Sequence, residues 1–416
     1  MTNLPQGWEV KKLEEIANIK GGKRLPKGEN LLDNNTKFAY IRVADFQDNG
    51  TINLQNIKFI NENTYNVLKN YKIYDDNLYI SIAGTIGKSG IIPKELNGAI
   101  LTENAVKLEY IQNNISNKFM YFFTLSNIFK TQIQTSTKIV AQPKLAITRL
   151  KQIQIPLPPL KKQERIVGIL DESFVKIDES IKILEQNLLN LDELMQSALQ
   201  KAFNPLKDNA KENYKLPQDW EWKSLGEIGN TSSGGTPLRN KKEYWENGSI
   251  KWLKSGELND GYIDFIEENI TEEAIENSSA KIFQKGTLLI AMYGATAGRL
   301  GILNLDSATN QAVCAFLHKD NKNIKFLEKF LFYFLFFIRD KIIKDSFGGA
   351  QPNISQTYIK NLQIPLPPLK EQEQIAEHLD FVFEKAKALK ELYTKELKDY
   401  EELKQSLLDK AFKGEL

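Results

Sequence analysis

Sulfur and imidazole are scarce in this chain. Its 416 residues include one cysteine, Cys314, and two histidines, His318 and His378. One thiol cannot close an internal disulfide, and so small a set cannot furnish a zinc cluster. The same scarcity nearly excludes hydrolytic triads. Long apolar runs are also missing. The most apolar stretch is "FLFYFLFFI", residues 330–338, well short of the roughly 20 residues a membrane-crossing helix needs. A buried helix is expected there instead. The opening "MTNLPQGWEV" lacks the apolar core of a secretory signal. A reducing, cytoplasmic setting without a membrane is expected. A charge excess is absent too: 55 basic against 53 acidic residues leave a net charge of +2. A case for nucleic acid must therefore rest on local patches.

Repetition is abundant. "QIPLPPLKKQE" at 154–164 returns as "QIPLPPLKEQE" at 363–373. "LPQGWEVKKLEEI" (4–16) returns as "LPQDWEWKSLGEI" (216–228), and "TIGKSGI" (85–91) as "TAGRLGI" (296–302). "LTENAV" (101–106) has a counterpart in "ATNQAV" (308–313), and "LMQSALQKAF" (194–203) in "LKQSLLDKAF" (403–412). The order never changes, so the chain is a duplication with too long a period for a solenoid. The fold class expected is α+β: two similar α/β globular domains with two long helices, in a pseudo-two-fold duplication. The first front domain is read as 1–152 and its helical region as 153–206. A polar linker covers 207–215. The second front domain follows at 216–361 and its helical region at 362–416. Within each front domain, "NNISNKFMYFFTLSNIFK" and "NIKFLEKFLFYFLFFIRDKIIK" each read as one buried helix.

The proline-rich stretch is a strand-to-helix corner. Pro156 and Pro158 impose extended geometry on the residues before them. Pro159 suits a helix's first turn, where a missing N–H costs nothing. After it, Phe174, Ile177, Ile181, Leu184, Leu188, Leu191, Met195 and Ala198 step alternately by three and four, as a coiled-coil seam does. The second copy supplies Phe383, Tyr393, Leu397, Tyr400 and Leu407, with lysines at two seam places, Lys390 and Lys404. A helix from Lys161 to Phe203 is roughly 60 Å long, and its apolar stripe must be buried. The other copy is the equally long partner, which predicts an antiparallel intramolecular coiled coil. Two separate helices, each packed on its own domain, are the alternative.

Catalytic signatures are incomplete. "GTIGKS" (84–89) resembles the end of a phosphate-binding loop, but Ile82 stands where that loop needs its first glycine. A strand-to-turn connection accounts for it better. The "LPPL" stretches lack the polar and aromatic residues of an adenine-methylating loop. No site for catalysis, metal or cofactor is read in the chain. What stands out are glycine- and cation-bearing loops. Lys23, Arg24, Lys27, Lys138, Lys144, Arg239, Lys241 and Lys242 are suited to phosphates. Arg24, Arg42, Gln142, Arg239, Asn240, Gln351 and Asn353 are residue types that read base edges.

The duplicated tryptophan-bearing opening, the "GGTP" turn, the "T-x-G-x-x-G-I" segment and "IPLPPLxEQ" before a long helix together resemble the specificity subunit of type I restriction–modification systems. That resemblance implies two target recognition domains, each reading one half of an asymmetric split site in double-stranded DNA. It implies two helices that set the spacing, and docking of two modification subunits and two restriction subunits. S-adenosylmethionine and ATP with Mg would then reside on those partners, and this chain would be non-catalytic. A two-lobed adaptor that binds only proteins, and an enzyme built around "GTIGKS", are the rival readings.

Overall fold

The computed structural model describes residues 4–136, 144–203, 216–346 and 353–416. The expected linker, 207–215, lies outside them. The chain forms two compact units. One comprises Met1–Glu185 with Thr394–Leu416, the other Gln186–Tyr393. Each long helix therefore contributes to both.

In the first unit, Ala17–Gly21, Ala105–Tyr110, Leu78–Ser81 and Ser89–Ile91 form an antiparallel sheet in that spatial order. A second sheet holds Lys58–Phe59, Ala39–Ile41, Ala99–Leu101 and Lys72–Ile73, with Ala39–Ile41 parallel to Ala99–Leu101. The alternation of buried Leu78, Ile80, Val106 and Leu108 with residues facing the other sheet makes one core on each face. The "GTIGKS" residues join Leu78–Ser81 to Ser89–Ile91, an antiparallel pair. They make a hairpin connection and start no helix, unlike a phosphate loop. The second unit repeats the plan. Gly229–Ser233, Val313–His318, Leu288–Ala291, Leu300–Leu303 and Gly261–Ile263 form one sheet, and Asn269–Ile270, Ile250–Leu253, Ser307–Thr309 and Ile282–Phe283 the other.

The front-domain helices correct one expectation. Each predicted buried helix is two: Asn117–Leu125 and Asn127–Ser136 in the first unit, Glu328–Phe337 and Arg339–Lys344 in the second. Ser126 makes the first break. Its backbone is extended (φ −73°, ψ 154°), and its hydroxyl donates to the Phe123 carbonyl at 2.7 Å while accepting from Phe129 N–H at 3.4 Å. A serine that bonds nearby backbone competes with helix continuation. The apolar run is buried as expected: Phe330, Leu331, Phe332, Tyr333, Phe334 and Leu335 are all in the core. Among the described residues no helix is long and apolar enough to cross a membrane.

The proline-rich corner is a strand followed by a helix. Gln154–Leu157 pairs antiparallel with Glu9–Lys12, and Gln363–Leu366 pairs with Glu221–Ser224 in the same register. Proline is tolerated because each is a two-stranded sheet, where an edge lacks one set of ladder bonds. The long helices Leu160–Phe203 and Leu369–Lys413 follow, with 44 and 45 residues.

Within each unit the helices run antiparallel. In the first, Ile166, Val167 and Leu170 share a core with Leu408, Ala411 and Phe412, while farther along Asp178 pairs with Lys404. In the second, Ala198, Leu199 and Phe203 share a core with Ala376 and Leu379, while Asp192 pairs with Lys390. Both seam lysines are thus matched by an aspartate of the opposing helix. Lys404 also lies over the Phe174 ring, 5.3 Å from its centroid. Of the seam residues, Ile177, Leu184, Leu191 and Ala198 are buried. Phe174, Ile181, Leu188, Met195, Phe383, Tyr393, Leu397, Tyr400 and Leu407 are half-buried.

The repeated "KAF" ends also have a physical role. Phe412 is fully buried, with ring centroids 5.0 Å from Phe119 and 5.5 Å from Phe123. Phe203 packs on Phe330 and Phe334 at 5.4 and 5.6 Å.

Candidate nucleic-acid interface

The glycine-bearing loop leaves strand Ala17–Gly21 in the first front domain and its counterpart Gly229–Ser233 in the second. A side chain on Gly22 would put its Cβ 2.1 Å from the Thr102 carbonyl oxygen, and one on Gly234 would lie 2.1 Å from that of Thr309. Only glycine lets the strand pass so close to its neighbour. The bond from Lys23 N–H to the Leu101 carbonyl (2.9 Å) then sets the first loop's course. In the second domain Gly235 N–H bonds to the Thr309 carbonyl at 2.9 Å.

Just beyond, the two loops carry different chemistry on matching backbone. Arg24 Nε donates to Glu103 Oε1 at 2.7 Å. In the second loop Thr236, one residue past Gly235, bonds to Gln311. The first pair is ionic. Burial pushes the Glu103 carboxyl up, but the bonds from Arg24 and Thr102 outweigh it, and the group titrates below its ordinary value. The second pair is neutral. Glu103 and Gln311 were not singled out from the sequence. The signal for them lay in "LTENAV" and "ATNQAV", where the matched segments differ at two neighbouring polar positions, Glu103 against Asn310 and Asn104 against Gln311.

A second loop meets the first. Leu145 N–H bonds to the Ile82 carbonyl at 2.8 Å, and Ile354 N–H to that of Met292 at 2.7 Å. These bonds place exposed Lys144 and Asn353 at corresponding points, opposite Ala83 and Tyr293. In the first domain a cleft of about 570 Å³ results, lined by Gly22, Lys23, Glu103, Lys144 and Ile147 among others. Lys23, Arg24 and Lys144 are thus brought together around one cleft and its rim.

The other predicted residues are dispersed. Arg42 is engaged by Asp45 through Nη2 at 2.6 Å and by the Asn56 carbonyl at 3.0 Å. Asp45 is 1% exposed, so this pair shapes a turn. Lys27 and Asn240 are exposed. Lys241 donates to the Tyr244 hydroxyl at 3.0 Å, and Lys242 lies 3.7 Å from Glu246. Arg239 stands over Trp245 and Trp252, 3.8 and 4.7 Å from their ring centroids. It pairs with Glu268 at 2.6 Å, which also holds Lys254 at 2.7 Å. Trp252 Nε1–H reaches back to the Gly235 carbonyl at 3.0 Å. The cationic loop and the glycine entry are therefore one tied structure. Lys138, Gln142 and Gln351 lie outside the described residues.

Such loops can present donors and positive charge. Among the described residues no group of three or more His, Cys, Asp or Glu is placed to hold a metal ion.

A family model described as the type I restriction modification DNA specificity domain matches residues 5–190 and 217–398. The EcoR124I/EcoR124II specificity subunit of Escherichia coli is 28% identical over 239 residues, which is 56% of this chain and 56% of that subunit. The chain thus spans about half the length of that relative. The MjaVIII specificity subunit of Methanocaldococcus jannaschii is 27% identical over 434 residues, covering 99% of this chain and 94% of that one. A solved chain from work on complex assembly and conformational transition of the type I R-M system has a TM-score of 0.78 at 22% identity, with 100% of both chains covered. That likeness is one of fold. With the family model matched twice along most of its length, the chain belongs to the specificity subunits of type I restriction–modification systems.

Proposed function

We propose that the chain is the non-catalytic reader of a type I restriction–modification complex. Its recognition domains, taken as 1–152 and 216–361, each bind one half of a split, asymmetric DNA site. The helical regions 153–206 and 362–416 set the gap and dock two modification subunits. S-adenosylmethionine, and ATP with Mg on two restriction subunits, belong to those partners in a cytoplasmic complex.

The observation that carries the reading is the doubled loop frame with Arg24–Glu103 in one copy and Thr236–Gln311 in the other. One backbone with two polar faces is what two different half-sites require. Lys23, Lys138 and Lys144 suit phosphates. Arg24, Gln142, Arg239, Asn240, Gln351 and Asn353 are the candidate base readers, with Lys27, Lys241 and Lys242 nearby. Arg42 is the weakest candidate because of its internal pairing. A protein-only adaptor is not favoured, since the matched family is one of DNA specificity.

Mapping methylated adenines in the host genome tests the proposal. One split motif should appear, and it should vanish when this chain is deleted. Arg24→Ala should relax or weaken one half only, by about 1–3 kcal/mol if the residue reads a base. Methylation that persists unchanged without the chain would refute the function.

A further inference from the structure

Each long helix carries one fully buried amide at its start. Gln163 and Gln372 are both 1% exposed, and they occupy the same repeat position. Gln163 Nε2 donates to the Pro158 carbonyl at 2.8 Å and to the Asn114 carbonyl at 3.0 Å, and its Oε1 accepts from Ser116 N–H at 2.9 Å. Gln372 Nε2 donates to the Pro367 and Lys325 carbonyls at 2.9 and 3.0 Å, and its Oε1 accepts from Leu327 N–H at 2.9 Å. Both N–H groups and the carbonyl of each amide are used, so nothing buried is left unsatisfied.

The partners explain what the bonds achieve. Pro158 and Pro367 belong to the corner. Ser116 and Leu327 are the residues from which the front-domain helices Asn117–Leu125 and Glu328–Phe337 start. Each glutamine therefore ties the corner, its own long helix and the front-domain helix at one point. The bonded groups are all backbone, so Asn114 and Ser116 can become Lys325 and Leu327 without loss of the tie. A second link joins the same helices eight residues on: Lys118 to Asp171 at 2.7 Å in the first copy, and Lys329 to Asp380 in the second. Two ties about 12 Å apart along one helix oppose its rotation against the other. A hydrophobic residue could fill the same space but would not direct it. Directional, fully satisfied buried bonds rigidify and select one geometry.

We propose that Gln163 and Gln372 are positioning residues for DNA recognition, clamping each recognition domain to its helix so that only one gap between half-sites is accepted. The proposal rests on the split-site function above. It assigns the narrowness of the gap to the clamp and the half-site sequences to the loops.

The test uses the full chain assembled with its modification subunits. Substrates are duplexes bearing the mapped half-sites with gaps one to three base pairs shorter or longer. Gln163→Met keeps length and removes all three bonds. Gln163→Glu keeps the acceptor but sets a carboxylate against two carbonyl oxygens. Either should leave both half-sites unchanged while methylation at gaps one pair off, relative to the parent gap, rises about three- to tenfold. The double variant Q163M/Q372M should broaden the profile further. Lys118→Met, on a half-exposed pair, should act mildly in the same direction and reads the clamp even where the buried variants do not assemble. Ile342→Val, a core change elsewhere with a comparable loss of melting temperature, should keep the profile narrow. An unchanged gap profile in all clamp variants overturns the proposal. So does a changed half-site sequence, or equal broadening in Ile342→Val. A parent complex without any split-site preference overturns the underlying function instead, which separates the two failures.

Discussion

Phe412→Ala should unfasten the first unit alone. The side chain is fully buried against Phe119 and Phe123, and these rings are pinned in a core with Leu408 and Ala411. Cutting a core phenylalanine to alanine costs about 3–5 kcal/mol, through lost transfer energy and the cavity left behind. Well-fixed surroundings favour the upper part of that range, because they cannot collapse into the space. For a unit of about 200 residues, such a loss lowers the melting temperature by about 6–20 °C. Calorimetry of the full chain reads that shift. Hydrogen exchange then locates it. Amides of Asn117–Leu125 and of residues 394–413 should lose protection, while those of Glu328–Phe337 keep theirs. Phe203→Ala should give the mirror pattern, since Phe203 packs on Phe330 and Phe334. A loss below about 1 kcal/mol, or equal deprotection of both units by one substitution, would refute the assignment of each helix end to one core.

Lys404→Leu should raise thermal stability by about 1 kcal/mol, because a charged seam residue fixes pairing at a cost in burial; a fall in melting temperature would contradict this. Cys314 is fully buried, and burial pushes its thiol up to about 12, so iodoacetamide should label it only after denaturation; rapid labelling of the native chain would show the core to be open. Burial raises the Glu268 carboxyl, but bonds from Lys254 and Arg239 outweigh it and leave the group below its ordinary 4.5. Its contribution is therefore complete above pH 4.5 and is lost as pH falls through the lower folded value. Glu268→Gln should flatten the acid limb of the stability profile, and an identical limb would assign that limb to other groups.

The repeat made much of this fold legible. The corner, the length of both helices and their antiparallel pairing follow from where prolines and apolar residues recur, since those are local and periodic signals. What escaped the sequence depends on partners far along the chain. Gln163 reads as an ordinary polar helix residue until Asn114 and Ser116 fold against it. Lys404 reads as a fault in the seam until Asp178 faces it. The break at Ser126 was hidden inside an apolar run, because one hydroxyl turning on its own backbone decides it. In the candidate interface the glycines and cations were visible. Glu103 and Glu268, which hold Arg24 and Arg239 in place, were not, because no spacing rule links residues so far apart.

The first unit is built from two separate stretches, Met1–Glu185 and Thr394–Leu416, whereas the second is the continuous stretch between them. Synthesis proceeds from the N-terminus at about 5–20 residues per second, and domains ordinarily mature in that order. Here the order is inverted. The second unit has its whole complement once Tyr393 has left the ribosome. The first, though begun earlier, waits for Leu408, Ala411 and Phe412 to close its core. At those rates the wait lasts about 10–40 seconds, with an apolar face on Phe119 and Phe123 exposed throughout. A chaperone that captures nascent chains would meet that face early, and a chain that stops before Leu408 would have one finished unit and one unfinished.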